Sequence, residues 1–220
     1  MAKLIAIEGL DGSGKETQSK LLEKYLIENG KKVHFLSFPT YDGKGSAFVD
    51  MYLKGELGKN PEDTNAFASS TFFALDRYYS YRMYWQGVHQ EEDTYIIANR
   101  YTTSNAIHQL SKLPRDEWEG FLEWLWDFEF NKLGIPKPDA TVYLEMPPAV
   151  FMELINSRSN DTGRVKDIHE TNVGHLKKSY SAALYSSEKL GWEIVHCCDG
   201  DNKLRTHEDI FADILSKLGL

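Results

Sequence analysis

Leu4-Ile5-Ala6-Ile7 is an unbroken apolar run without alternation, the pattern of a strand buried on both faces of a parallel sheet. Glycines at 9, 12 and 14 follow it. A helical pattern then runs from about Lys15 to Asn29, with Leu22, Tyr25, Leu26 and Asn29 on one face and Gly30 as its stop. Val33 to Phe38 predicts a second strand, closed by Pro39. Helices are expected over Ser46–Leu57 and from Pro61 to about Val88, the second opening with proline in its first turn. Thr94–Ala98 is a third buried-type strand, followed by a short helix near Ser104–Leu110 and another over Pro114–Phe130. The last carries Trp118, Phe121, Leu122, Leu125, Trp126 and Phe128, a stripe that reads as packing rather than a cofactor box.

A fourth strand is expected at Ala140–Glu145, a helix at Pro148–Ser157, a long helix from about His169 to Leu190, a fifth strand at Trp192–His196 and a final helix from about Glu208 to Leu218. Between the first two of these helices, Ser159-Asn160-Asp161-Thr162-Gly163 is the most turn-prone internal stretch, flanked by Arg158 and Arg164. Strands alternating with helices, without a repeat or a linker, predict a doubly wound α/β fold: a five-stranded parallel sheet flanked by helices, in one domain spanning residues 1–220.

Composition narrows the class. Hydrophobic residues make up 41% of 220, which excludes a disordered chain and leaves enough for a sizeable core. A net charge of -8 argues against nucleic acid or an anionic membrane surface as partner. The apolar runs are too short to span a bilayer, and Glu8 interrupts the first too early for a signal peptide. Cys197 and Cys198 are adjacent, which gives neither a disulfide framework nor a zinc spacing, and suits a reducing cytoplasm. The histidines show no ligand spacing with cysteine or acid.

The candidate chemistry begins at Gly9-Leu10-Asp11-Gly12-Ser13-Gly14-Lys15, which fits the phosphate-loop spacing G-x-x-x-x-G-K. Its glycines let backbone N–H groups converge on phosphate oxygens, and the following helix adds its positive N-terminus. Lys15 would bridge the β- and γ-phosphates of a nucleoside triphosphate. Spacing alone is weak evidence; placement between a buried strand and an amphipathic helix is what such a loop needs mechanically. The residue after the lysine, usually a hydroxyl that holds Mg²⁺, is Glu16, followed by Thr17. A carboxylate can hold Mg²⁺ directly or through water, so Glu16 is the candidate metal ligand. It can equally serve only to complement the helix N-terminus.

The sequence resembles the thymidylate kinases, a branch of the nucleoside monophosphate kinases. The segments that carry the likeness are Ile7–Lys15 with Thr17-Gln18, Phe38-Pro39, Phe72–Arg77, Asn99–Gln109 (similar to D-R-Y-x-x-S-x-x-A-Y-Q) and Pro138–Leu144. The resemblance implies a P-loop nucleoside triphosphate hydrolase type of fold with a short lid at about 158–168. It implies transfer of the γ-phosphoryl group of ATP to dTMP with Mg²⁺, in a cytoplasmic homodimer. Carried over by position, Gly9 to Thr17 would cradle ATP. Phe38 would lie in the acceptor site, Phe73 or Phe72 would stack on thymine, and Arg77 would reach a base carbonyl. Arg100 would grip the acceptor phosphate, while Ser104 and Gln109 would line the base pocket. Asp11 would face the sugar 3′-hydroxyl, and His108 would stand where an aromatic excludes a 2′-hydroxyl. Arg158 and Arg164 would meet the transferring group from the lid.

Residue chemistry supports the set independently. Phosphoryl transfer needs positioning and charge neutralisation, and four of only seven arginines (77, 100, 158 and 164) fall in or beside these segments. Three departures stand out. Glu16 replaces the hydroxyl, Asn99 replaces the acid of the D-R-Y-like stretch, and Thr40 stands where an arginine often follows Phe-Pro. They leave two alternatives open: a kinase for another nucleoside or nucleoside monophosphate, or a nucleotide-binding regulatory protein that has lost turnover.

Overall fold

The computed structural model describes residues 1–151 and 172–220. Five strands, β1 (Lys3–Gly9), β2 (Lys32–Ser37), β3 (Thr94–Asn99), β4 (Ala140–Glu145) and β5 (Glu193–His196), form one parallel sheet in the order β2-β3-β1-β4-β5. The central strand pairs with both neighbours, Ile5 opposite Ile97 on one side and Ala140 on the other. Leu4, Ile5, Ala6 and Ile7 are all fully buried, as an apolar run without alternation requires. The pleat divides them. Ile5 and Ile7 join the larger core with Ile97 and Val142, while Leu4 and Ala6 join the smaller one with Ile96, Ala98 and Trp85.

Around the sheet lie α1 (Lys15–Glu28), α2 (Ala47–Leu53), α3 (Ala66–Ser80), α4 (Gln86–His89), α5 (Asn105–His108), α6 (Trp118–Trp126), α7 (Val173–Leu190) and α8 (His207–Leu218). Helix α1 buries Leu22 and Leu26, each stabilising the fold by about 1.5–3 kcal/mol, with Tyr25 half-buried beside them. Asn29, expected on that apolar face, is instead the exposed C-cap, its backbone N–H bonding the Tyr25 carbonyl. Its short amide serves a helix end better than a core.

Several helices are shorter than their apolar patterns. No helix runs from Pro61 to Val88: Pro61–Asp63 is a single 3-10 turn with an Asn60–Asp63 capping box. Asn65 then caps α3 anew, its side chain accepting from the Ala68 N–H. Asn outranks apolar residues as a cap because it satisfies an orphan N–H. Likewise Asn172 caps α7, accepting from the His175 N–H, so that helix begins at Val173 rather than His169. Two helices relax into π-type turns, Tyr81–Trp85 after α3 and Asp127–Lys132 after α6. The α6 stripe is packing: Trp118, Phe121, Leu122 and Leu125 are buried. Both cysteines are free. No helix among the described residues is long and apolar enough to cross a membrane.

Candidate active site

The loop between β1 and α1 sits at the carboxyl end of the central strand, where open α/β sheets bind ligands. Its shape depends on glycine. Gly12 and Gly14 have φ of 91° and 80°, the left-handed region that side chains disfavour, and a Cβ on Gly9 would overlap the Ser13 hydroxyl. Gly14 is the N-cap of α1, so the first N–H groups of the helix open toward the loop. Lys15 folds back over the loop, its Nζ 3.2 Å from the Leu10 carbonyl and 3.3 Å from Asp11 Oδ1. Burial, then the nearby Arg100 cation, lowers the Lys15 pKa to about 8.

Arg100 begins the turn after β3 with φ of 68°. That conformation is uncommon for a residue with a Cβ and stores strain of about 1–3 kcal/mol. Its N–H bonds the Ile7 carbonyl, which holds the turn against β1. The guanidinium reaches Asp11 Oδ1 at 2.5 Å, His108 Nε2 at 3.1 Å and Ser104 Oγ at 3.4 Å. Burial raises the Asp11 pKa, but Arg100 and Lys15 outweigh it and hold the carboxyl well below the carboxylate range. Burial also keeps His108 neutral far below its ordinary pKa, so Nε2 accepts from Arg100. The His108 ring lies over that of His175 in α7, with centroids 6.2 Å apart.

Underneath sits Glu8, a fully buried carboxylate inside the apolar strand. It accepts from the Tyr101 N–H at 2.9 Å, Thr103 Oγ1 at 2.6 Å and Ser104 Oγ at 2.7 Å, and so shapes the whole turn after Arg100. The segment 100–109 is thereby fixed from below, with Arg100, Ser104 and His108 on one side of it.

The other expected acceptor residues lie along α3 and beside it. Arg77 is buried, its Nε and Nη2 donating to Glu129 at 2.7 and 2.5 Å and its Nη1 to the Tyr101 carbonyl at 3.4 Å. Gln109 is buried, its Oε1 accepting from Ser69 Oγ at 2.7 Å. Phe38 is buried against Tyr101. Phe72 and Phe73 are both half-buried. Phe72 stacks on Phe48, and Phe73 meets Tyr52 edge-on. At the departures, Thr40 donates through N and Oγ1 to buried Asp76, at 2.9 and 2.5 Å, and Asn99 donates to Ser37. Arg158, Arg164 and the lid lie outside the described residues.

Glu16 is in the first turn of α1, with its side chain 68% exposed and 2.8 Å from Lys20. Among the described residues no three His, Cys, Asp or Glu side chains are grouped as a metal cage. The Glu16 carboxylate in the first turn of α1 is a hard oxygen donor, which fits Mg²⁺, an ion that binds through one or two carboxylates and the substrate's own phosphates.

Sequence reasoning missed Glu8, Asn105, Glu129 and His175. Two of them had a readable signal. A lone carboxylate within an apolar run, as in Ile5-Ala6-Ile7-Glu8 and Phe128-Glu129-Phe130, signals a buried and fully bonded acid.

Comparison with known proteins places this geometry. The family model described as thymidylate kinase matches residues 7–197. Thymidylate kinase of Mycobacterium tuberculosis (strain CDC 1551 / Oshkosh) is 34% identical over 195 residues, covering 86% of this chain and 87% of that protein. Thymidylate kinase of Plasmodium falciparum (isolate 3D7) is 28% identical over 221 residues, covering 98% and 89%. The solved thymidylate kinase of Candida albicans superposes with a TM-score of 0.70 over 99% of this chain and 91% of that one. At 20% identity that likeness bears on the fold alone. With a sheet, a phosphate loop and a family match that coincide over the same residues, the chain belongs to the thymidylate kinase family.

Proposed function

We propose that this chain, as one kinase domain over residues 1–220, transfers the γ-phosphoryl group of ATP to dTMP, giving ADP and dTDP. The observation that carries the reading is the placement of Arg100 beside Lys15, with Asp11 Oδ1 within 3.3 Å of both cations. One cation serves each phosphate group, and the two must meet for transfer.

Lys15 and the loop N–H groups hold the donor's β- and γ-phosphates, and Arg100 holds the acceptor phosphate. The acceptor oxygen attacks the γ-phosphorus while the bond to the β–γ bridging oxygen breaks, and the ADP oxygen carries away the charge. Mg²⁺, when bound, would neutralise phosphate charge, with Glu16 as the residue that would hold it. Asp11 faces the sugar, His108 closes the space beside C2′, and Phe73 or Phe72 stacks on the base, which Arg77, Ser104 and Gln109 frame. Arg158 and Arg164 supply further positive charge from the lid.

The exposed apolar side chains Phe67, Leu75 and Tyr78 on α3, with Phe48 and Met51 on α2, support a homodimer through these helices. The reading also places the chain in the cytoplasm. Phosphorus NMR of the protein with Mg²⁺, ATP and dTMP tests the transfer: resonances of dTDP and ADP should grow together. ADP with inorganic phosphate and no dTDP would defeat it.

A further inference from the structure

A cavity of about 160 Å³ opens beside the start of β4, where the end of α6 and its π-type turn meet residues 190–192, which join α7 to β5. None of the residues assigned to ATP or dTMP lines it. Trp126 and Phe130 bring aromatic surface to the lining, their rings edge-on with centroids 5.3 Å apart. Trp192 adds a third ring, and Lys137 holds its Nζ 5.7 Å from the Phe130 centroid.

The polar groups of the lining are donors that lack acceptors. Thr141 and Trp192 are only 7% and 9% exposed. Among the described residues, neither the Thr141 hydroxyl nor the Trp192 indole N–H has a hydrogen-bond partner, and Lys137 forms no ion pair. Asp139 is the one acid of the lining, and its Oδ2 already accepts from the Leu4 N–H at 2.7 Å. Buried donors are as a rule bonded, because leaving one unmade costs free energy. Two buried donors and a cation around three aromatic rings therefore call for a ligand that presents an anionic acceptor on an apolar ring.

We infer that this cavity binds an aromatic carboxylate of a single ring, the ring against Trp126, Phe130 and Trp192 and the carboxylate on Lys137, Thr141 and the Trp192 N–H. Size sets the class: a cavity of roughly 150 Å³ takes benzene, whereas larger ligands such as nucleotides need about 300 Å³ or more. The site also reaches the acceptor turn from behind. Thr103, in the lining, donates through Oγ1 to Glu8 at 2.6 Å, the carboxylate that also takes the Tyr101 N–H and Ser104 Oγ. A ligand packed against Thr103 restrains the turn that carries Arg100, so the aromatic acid and dTMP should strengthen each other's binding. This second step rests on the reading that Arg100 holds the dTMP phosphate; the site itself does not.

Benzoate is the probe, titrated into the full chain and followed through the tryptophan indole N–H resonances, with Trp126→Phe and Trp192→Phe giving the assignments. The Trp126 and Trp192 resonances should shift saturably at millimolar benzoate, and acetate, which lacks the ring, should not shift them. Lys137→Gln, at an exposed position that folding tolerates, should weaken benzoate by at least about fivefold and leave benzyl alcohol unaffected. Thr141→Val keeps the shape, removes the hydroxyl and should weaken benzoate in the same sense. Saturating benzoate should lower KM for dTMP by at least about twofold. Absence of saturable shifts up to about 20 mM benzoate, or equal affinity in wild type and Lys137→Gln, overturns the site. Saturable binding with KM for dTMP unchanged overturns the link to the acceptor turn. A chain that binds benzoate here yet phosphorylates no dTMP supports the site and overturns the kinase reading alone.

Discussion

Asp11 Oδ1 lies 2.5 Å from Arg100 Nη2, a contact that joins the phosphate loop to the turn after β3. The same oxygen is 3.3 Å from Lys15 Nζ. One carboxylate therefore bridges the Lys15 and Arg100 cations and offsets their mutual repulsion in a half-enclosed site. In the proposed roles, incoming phosphates would replace it as the counter-charge with little rearrangement.

Arg100 combines that contact with a left-handed backbone, and substitution separates the two. Arg100→Ala should weaken dTMP binding by about 10²-fold, the scale for truncating one partner of a partly buried charge pair, with ATP affinity little changed. Arg100→Gly should lose the same affinity yet be about 1 kcal/mol more stable than Arg100→Ala, because glycine adopts φ of 68° without strain. Calorimetry and urea denaturation read the two effects. Equal loss of ATP and dTMP affinity would make Arg100 a structural residue.

Lys15 gives a pH dependence with a definite sign. Its pKa in the ligand-free protein is about 8, below the ordinary 10.5, because burial and Arg100 disfavour the charge. Only the protonated amine attracts phosphates, so kcat/KM for ATP should fall as pH rises through about 8. Saturation with ATP brings negative charge to the amine and should move the break in kcat to higher pH. Lys15→Ala should remove the break and reduce kcat by about 10²–10³-fold. A wild-type profile flat to pH 10 would contradict the assignment.

His175 predicts the acid side. Burial lowers its pKa to about 4, from 6.5, and lowers that of His108 in the same sense. Between these values the unfolded chain takes up protons that the folded one refuses, so stability should be complete above pH 6.5 and decline toward pH 4. The His175 share is on the order of 2–3 kcal/mol. His175→Phe should flatten the dependence of Tm on pH over that window; an unchanged slope would remove the buried pair from the explanation.

How much of this was legible in the chain depends on the kind of signal. Buried strands such as Leu4–Ile7 and Ala140–Glu145 are local and apolar, and their residues say so directly. The phosphate loop was equally legible because glycine and lysine spacing encodes its backbone. Helix starts at Ala66 and Val173 were not, because Asn65 and Asn172 cap late in patterns that look continuous. Contacts between distant segments were invisible: nothing near Arg77 in sequence announces Glu129, 52 residues away, or the fourfold use of its carboxylate. The same holds for Thr40, whose bonds to Asp76, 36 residues away, show why a short hydroxyl suits that position.

Glu16 separates two physical roles. If its carboxylate holds Mg²⁺ at the triphosphate, Glu16→Gln should raise the Mg²⁺ concentration needed for half-maximal turnover several-fold. If it only complements the helix N-terminus and pairs with Lys20, the variant should lose at most about 0.3–1 kcal/mol of stability at unchanged Mg²⁺ dependence. We expect the first result, since a helix-end carboxylate beside a bound triphosphate meets the metal's preference for hard oxygen.

The central claim is that the paired cations Lys15 and Arg100 serve ATP and dTMP. The most direct measurement is ADP release from ATP and Mg²⁺ across a panel of dTMP, dUMP, dCMP, dGMP, AMP and thymidine, for wild type and Arg100→Ala. The account predicts the highest kcat/KM with dTMP and little release with thymidine, which has no phosphate for Arg100. Loss of the dTMP signal in Arg100→Ala, with the slow hydrolysis of ATP alone unchanged, completes the expected result. Release that is equal with thymidine and dTMP, or insensitive to Arg100, would contradict it.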